Sequence, residues 1–88
     1  MNEARMTRMR ELLTEAFNPD QLELEDQSHL HAGHAGAREG KGHFRVVIVS
    51  DAFAGLPLLK SHRLVYQALG DMMETDIHAL IIEATSPE

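Results

Sequence analysis

Hydrophobic residues recur at helical spacing near the start of the chain, and charged residues occupy the positions between them. This pattern predicts an amphipathic helix. Its apolar positions are Met6, Met9, Leu13, Ala16 and Phe17. The sequence Asn18-Pro19 ends the helix, because a residue that precedes proline is disfavoured in the α conformation.

Three further segments have the pattern of β-strands. Gln21–Asp26 alternates polar and apolar residues, which predicts a short, half-buried strand. His43–Val49 is dense in β-branched residues and becomes apolar on both faces toward its end, so it predicts a stronger strand. Ile77–Ala84 predicts a third strand, which Ser86-Pro87 closes.

A second helical stripe follows Pro57, which suits the first position of a helix. The apolar face of that helix repeats at spacings of four, three, four and three, through Leu58, His62, Val65, Leu69 and Met72. A break between a short first turn and a longer helix from about Ser61 is one alternative that periodicity does not decide. Gly70 is a weak point in the helix but not clearly its end. The predicted fold is α+β, with helices on one face of a three-stranded sheet.

The segment from Ser28 to Gly42 separates the first two predicted strands and holds four of the six glycines. Glycine costs the most backbone entropy to order, so this composition predicts a mobile loop. A loop of this length in a small domain is often functional rather than merely connective.

Length and composition describe one small domain. With 88 residues, of which 43% are hydrophobic and 25% charged, we expect a single domain over residues 1–88. The absence of cysteine excludes a disulfide scaffold, a thiol nucleophile and a thiolate metal site. The start of the chain has no apolar signal region, and no apolar run approaches the length of a membrane span. A cytoplasmic, soluble protein is therefore expected.

The net charge of −6 is unevenly distributed. Residues 28–70 hold five basic residues against two acidic ones, so this middle segment is positive within an acidic protein. A nucleic-acid-binding protein normally has a clear basic footprint, and this one is faint.

Three of the six histidines, His29, His31 and His34, lie close together in the glycine-rich segment. Neutral imidazole is the commonest metal ligand in proteins and suits zinc, copper, iron and nickel. A solvated polar loop whose histidines have no special role explains the same pattern equally well. The spacing alone does not match a recognised metal cage.

The other three histidines lie in predicted regular structure. His78 opens the third strand and alternates onto the face of Leu80, Ile82 and Ala84, which favours a structural role. His62 lies on the apolar helix stripe, where packing or an internal hydrogen bond is favoured over ligation. His43 leads the second strand, could be exposed, and is assigned no role. Ser61 and His62 are adjacent on a helix and cannot form a nucleophile–base pair, and no catalytic carboxylate pair is recognisable.

Three motifs follow one another along the chain: FRVVIVSDAFAGL at 44–56, HRLVY at 62–66 and IHAL at 77–80. In order and spacing, these motifs together resemble the BolA family. The resemblance extends over nearly the whole chain. It implies an α-β-β-α-α-β fold of the class II KH-like type, in agreement with the predicted element order.

The resemblance also implies a function. BolA proteins are associated with monothiol glutaredoxins, with which they share a [2Fe–2S] cluster in iron–sulfur trafficking or iron sensing, and they are not enzymes. The family histidine before the apolar run of the third strand matches His78. The second family ligand is a loop cysteine in one subgroup and a loop histidine in the other, and this chain lacks cysteine. Its best match is His31, with His34 as the alternative. The complex would supply glutathione and the partner's cysteine.

The second role associated with the family is transcriptional regulation through DNA binding. Lys60, Arg63 and Arg45 could then meet phosphates in a helix-turn-helix-like manner. A solvated helix face is the simpler interpretation of Lys60 and Arg63, and the net charge predicts weak, salt-dependent binding. A histidine carrier for another metal is a third hypothesis. We expect a free chain that is a monomer or a weak homodimer and does not bind membranes.

Overall fold

Three strands form one mixed sheet, and the helices pack on one of its faces. The computed structural model describes residues 3–28 and 41–87. The elements in chain order are α1 (Glu3–Phe17), β1 (Gln21–Asp26), β2 (Gly42–Val49), a 3₁₀ turn (Asp51–Phe53), α2 (Leu58–Leu69), α3 (Met72–Thr75) and β3 (Ile77–Thr85). This order confirms the predicted α+β fold with its α-β-β-α-α-β sequence of elements. Within the two described ranges, no helix is long and apolar enough to cross a bilayer.

Strand β2 is the centre of the sheet. It pairs antiparallel with β1, from Gln21 opposite Val49 to Asp26 opposite Phe44. It pairs parallel with β3, which follows it only after the two helices α2 and α3. Alternate side chains of a strand face opposite sides of the sheet, so β2 presents one set to the helices and the other to the open face.

The hydrophobic core lies between that sheet face and the helices. Strand β2 buries Phe44, Val46 and Ile48 on this side, while the residues between them are half-buried. The helices contribute the remaining large buried side chains, chiefly Met9 and Leu13 of α1 and Val65 and Leu69 of α2. The predicted apolar stripes of both helices therefore face the core over most of their length. Ala16 at the end of α1 and Leu58 at the start of α2 are exceptions, because both are exposed.

Helix α2 is continuous from Leu58 to Leu69, so the break near Ser61 is not present. The helix ends at Gly70, which has a φ of 56°. Glycine adopts this left-handed conformation without the steric cost of a Cβ, which explains why the helical pattern stops there. Met72, placed by periodicity on the same stripe, belongs instead to the short helix α3.

Ser50 joins the end of β2 to the end of α1. Its buried hydroxyl donates to the carbonyl of Phe17 at 2.7 Å and accepts from the N–H of Ala52 at 3.1 Å. The rings of Phe17 and Phe53 also lie in contact, with centroids 5.0 Å apart. One small side chain thus satisfies two backbone groups at a junction of three elements.

Candidate metal-ligand site

The first residues of β2 and β3 lie side by side, and the register between these strands changes there. Gly42 pairs with Ile77, but His43 pairs with Ala79, so His78 is an additional residue on β3. This is the geometry of a β-bulge, in which one extra residue is left without a partner across the ladder. The bulge lies at the end of the sheet at which the segment 29–40 begins and ends.

The bulge changes the face on which His78 lies. Strand alternation predicts His78 on the same face as Leu80 and Ile82, and this prediction is wrong. Ile77 is buried in the core instead, and His78 is exposed. The extra residue shifts the period-two alternation by one position, and a pattern read along β3 alone does not contain that shift.

His43 is buried, with only 4% of its surface exposed. The exposure considered for this residue from its place at the start of β2 is therefore also wrong. Its backbone is held on both sides. The N–H of His43 donates to Oγ of Ser28 at 3.1 Å, and its carbonyl accepts from the N–H of Gln27 at 2.7 Å. Ser28 is fixed in turn, because its N–H donates to Oδ1 of Asp26 at 2.9 Å. These bonds clamp the end of β1 to the start of β2.

The two imidazole rings at this end of the sheet are neighbours. The centroids of His43 and His78 are 5.0 Å apart, and the ring planes are inclined by 52°. Sequence reasoning assigned His43 no role, because its position beside His78 depends on the pairing of β2 with β3. Neither strand pattern alone signals it.

The turn before His78 is fixed by Asp76. Its carboxylate accepts from the hydroxyl of Thr75 and from Nε of Arg5, the latter at 3.1 Å, and its carbonyl accepts from the N–H of Gly42 at 2.9 Å. The Thr75 hydroxyl, followed by the Arg5 guanidinium, lowers the pKa of the Asp76 carboxyl. Asp76 therefore ties α1, β2 and the start of β3 together next to His78.

The loop histidines His29, His31 and His34 lie outside the described residues. Among residues 3–28 and 41–87, no group of three or more His, Cys, Asp or Glu side chains is arranged to hold a metal ion. Among these residues, His78 presents an exposed imidazole, which is a suitable ligand for iron as well as for zinc or copper. It fits a site that other ligands must complete, since one imidazole does not hold a cluster.

The basic residues considered for nucleic-acid binding do not form one surface. Lys60 and Arg63 are exposed on α2. Arg45 lies on the open face of the sheet, where its guanidinium is 2.6 Å from Glu83 and 3.9 Å from Glu25. The hydrogen bond with Glu83, reinforced by the charges around it, raises the pKa of Arg45. The sheet separates Arg45 from the helix that carries the other two.

Comparison with known proteins identifies the family. The model of the family described as "BolA-like protein" matches residues 13–88, which include β1, β2, α2, α3 and β3 in full. The chain belongs to the BolA family. Within this BolA-family chain, the matched region contains both histidines of the ring pair and the segment that carries His29, His31 and His34.

Relatives and solved structures agree with this assignment. The chain is 46% identical to "Protein BOLA1, chloroplastic" of Arabidopsis thaliana over 97% of its own length and 55% of that protein. It is also 46% identical to "SufE-like protein 1, chloroplastic/mitochondrial" of the same plant, over 96% of this chain and 24% of the relative. The structure of the BolA domain of SufE1 from Arabidopsis thaliana superposes with a TM-score of 0.85 at 46% identity, over 96% of this chain and 93% of that domain.

The comparisons also bear on length and location. This BolA-family chain spans about half of one of these relatives and about a quarter of the other. Both carry organelle designations in their names, so the expected cytoplasmic location is not confirmed.

Proposed function

We propose that this chain is an adaptor, not an enzyme, which shares a [2Fe–2S] cluster with a monothiol glutaredoxin in cluster trafficking or iron sensing. The single observation that carries the proposal is the bulge at His78, because it exposes an imidazole at the end of the sheet to which the histidine-rich segment is joined. Membership of the BolA family supports the same function.

In this proposal His78 and one loop histidine, His31 before His34, are the ligands that the chain supplies. The partner's cysteine and glutathione supply the thiolates, since this chain has no cysteine. Imidazole in place of thiolate on one iron makes the cluster less negative and raises its reduction potential, as in Rieske centres. Two ligands do not complete a cluster, so the chain requires its partner.

The test is a titration of this protein into a glutathione-ligated, cluster-loaded monothiol glutaredoxin, followed by visible circular dichroism. We expect a spectral change that saturates at one-to-one and is absent for the His31→Ala, His78→Ala double variant. His29→Ala is the matched control, because it removes a histidine from the same segment and should leave the change intact.

Two results of this titration would contradict the proposal. An unchanged spectrum with the wild-type protein excludes cluster sharing with that partner. A full change with the double variant excludes the proposed ligands, and His34→Ala combined with His78→Ala then tests the alternative loop ligand.

A second candidate function is DNA binding, which one observation favours. Helix α2 exposes Lys60 and Arg63, and residues 52–70 contain no acidic side chain. Arg45 does not belong to this surface, because it lies on the open face of the sheet, where it pairs with Glu25 and Glu83. Binding would be weak and salt-dependent in a protein of charge −6.

The DNA-binding candidate is tested with a labelled duplex at several salt concentrations. Replacing both Lys60 and Arg63 by Gln should lower the affinity and reduce the slope of log K against log salt by about 2, since each phosphate that is no longer neutralised changes the slope by about 0.9. If the wild type and the double variant have the same affinity and the same slope, this surface does not bind DNA.

The cytoplasmic location is also a proposal, and it is tested by fractionation of the source cells.

A further inference from the structure

His43 and His78 differ sharply in their surroundings although their rings are neighbours. His78 is exposed on a bulge, where the strand ladder does not hold it. His43 is buried at 4% exposure, and its backbone is held by Ser28 and Gln27. A fixed ring therefore lies beside a ring that has few other restraints from its own strand.

We propose that His43 is a positioning residue, whose buried ring restricts the side chain of His78 to one rotamer before any ligand binds. The centroid distance of 5.0 Å and the inclination of 52° fall within the range in which aromatic rings attract one another. An exposed side chain that is already held in one rotamer loses less entropy when it binds, so its ligand binds more tightly.

The burial of His43 assigns it this role rather than ligation. Both nitrogens of its ring are enclosed, so neither presents a lone pair at the surface beside His78. What His43 offers to His78 is the contact between the two rings, and a phenyl ring at the same position offers the same contact. The nitrogens of His43 are therefore dispensable for the proposed role, and its planar ring is not.

The first test uses the free chain and does not depend on the proposed function. Three-bond couplings measured by NMR report the χ1 distribution of His78 in the wild type, in His43→Phe and in His43→Ala. We expect a single rotamer in the wild type and in His43→Phe, and averaging among rotamers in His43→Ala. Amide spectra establish that each variant is folded. If His43→Ala does not fold, His43→Leu replaces it, because leucine fills the space without a planar ring.

Three results would overturn the inference. They are averaging of His78 in the wild type, a single rotamer in the folded non-aromatic variant, and averaging in His43→Phe. The last result would mean that the nitrogens of His43 hold His78, and not its aromatic side.

The second test rests on the proposed function and repeats the glutaredoxin titration with the same variants. In His43→Ala, the side chain of His78 is no longer held in one rotamer and must be immobilised on binding. We therefore expect this variant to bind the cluster-loaded glutaredoxin about two- to tenfold more weakly than the wild type. His43→Phe should bind with wild-type affinity. Equal loss in both variants would identify His43 as a ligand and overturn the positioning role. If the wild-type protein itself produces no spectral change, the proposed function fails, whereas the χ1 measurement still decides the role of His43.

Discussion

Gly42 offers the sharpest test of the packing at the start of β2. A Cβ at this position would lie 2.5 Å from both Cε2 and Cζ of Phe44 and 3.2 Å from Oγ of Ser28. Carbon atoms in contact are about 3.5–4.0 Å apart, so the ring must move by about 1 Å. Phe44 is 1% exposed, so its ring can move only against the packed side chains of the core. The substitution Gly42→Ala should therefore destabilise the fold.

The magnitude follows from two opposing effects. Overpacking of a filled core costs about 1–3 kcal/mol. Alanine returns about 0.4–1 kcal/mol by restricting the unfolded chain, because the φ of Gly42 is not in the left-handed region. The free energy of unfolding should fall by about 1–2 kcal/mol, and the Tm of a domain of this size by about 5–15 °C. Urea and thermal unfolding followed by far-ultraviolet circular dichroism measure both quantities.

A double-mutant cycle with Phe44→Leu isolates the contact. Leucine lacks the two ring atoms that the new methyl group would meet, so Gly42→Ala should be neutral or slightly stabilising in that background. Equal destabilisation in both backgrounds would refute the assigned cause. Unchanged stability of the single variant would refute the close approach of Phe44 to Gly42.

Two further substitutions test the junctions around the site. Ser50→Ala removes the hydroxyl that donates to the carbonyl of Phe17, so it should lower the free energy of unfolding, measured in urea, by about 1–3 kcal/mol. The control Thr14→Ala, at an exposed position, should change this free energy little. Equal effects of the two substitutions would contradict the role of the buried hydroxyl. The lowered pKa of Asp76 means that its ionised form stabilises the fold above the ordinary carboxyl pKa of about 3.9, and that this contribution is lost as the pH falls through the lower folded-state pKa. The Tm of Asp76→Asn should therefore lie below that of the wild type at pH 7, and the difference should narrow progressively as the pH falls below about 4. A difference that does not narrow below pH 4 would exclude the carboxylate as its source.

Local sequence patterns predicted most of the fold. Period-two alternation located β1 at Gln21–Asp26 as observed. The β-branched, apolar run His43–Val49 located β2, and the apolar run Ile77–Ala84 located β3, each to within one residue at each end. Helical spacing identified the buried faces of α1 and α2. These elements were predictable because each buries one face against a single core, which repeats the apolar residues at the period of the element.

The arrangement at the candidate site was less predictable. The bulge at His78 and the burial of His43 arise from the pairing of two strands, and neither strand encodes the register of the other. The end of α2 at Gly70 was visible only as a weak point, because an isolated glycine is tolerated inside helices as well as after them. His31 and His34 lie outside the described residues, so their assignment stays a prediction from the family resemblance.

The parallel pairing of β2 and β3 also decides when the ring pair can form. His43 and His78 are 35 positions apart in the sequence, and both helices between them must close the crossover before the strands meet. Contacts between distant parts of a chain require loop closure first and are slow to form, and synthesis delivers β3 last among the elements. A chain in which β2 and β3 have not yet paired therefore carries both histidines without their contact. Only after these strands have met can the domain offer a held imidazole to a ligand.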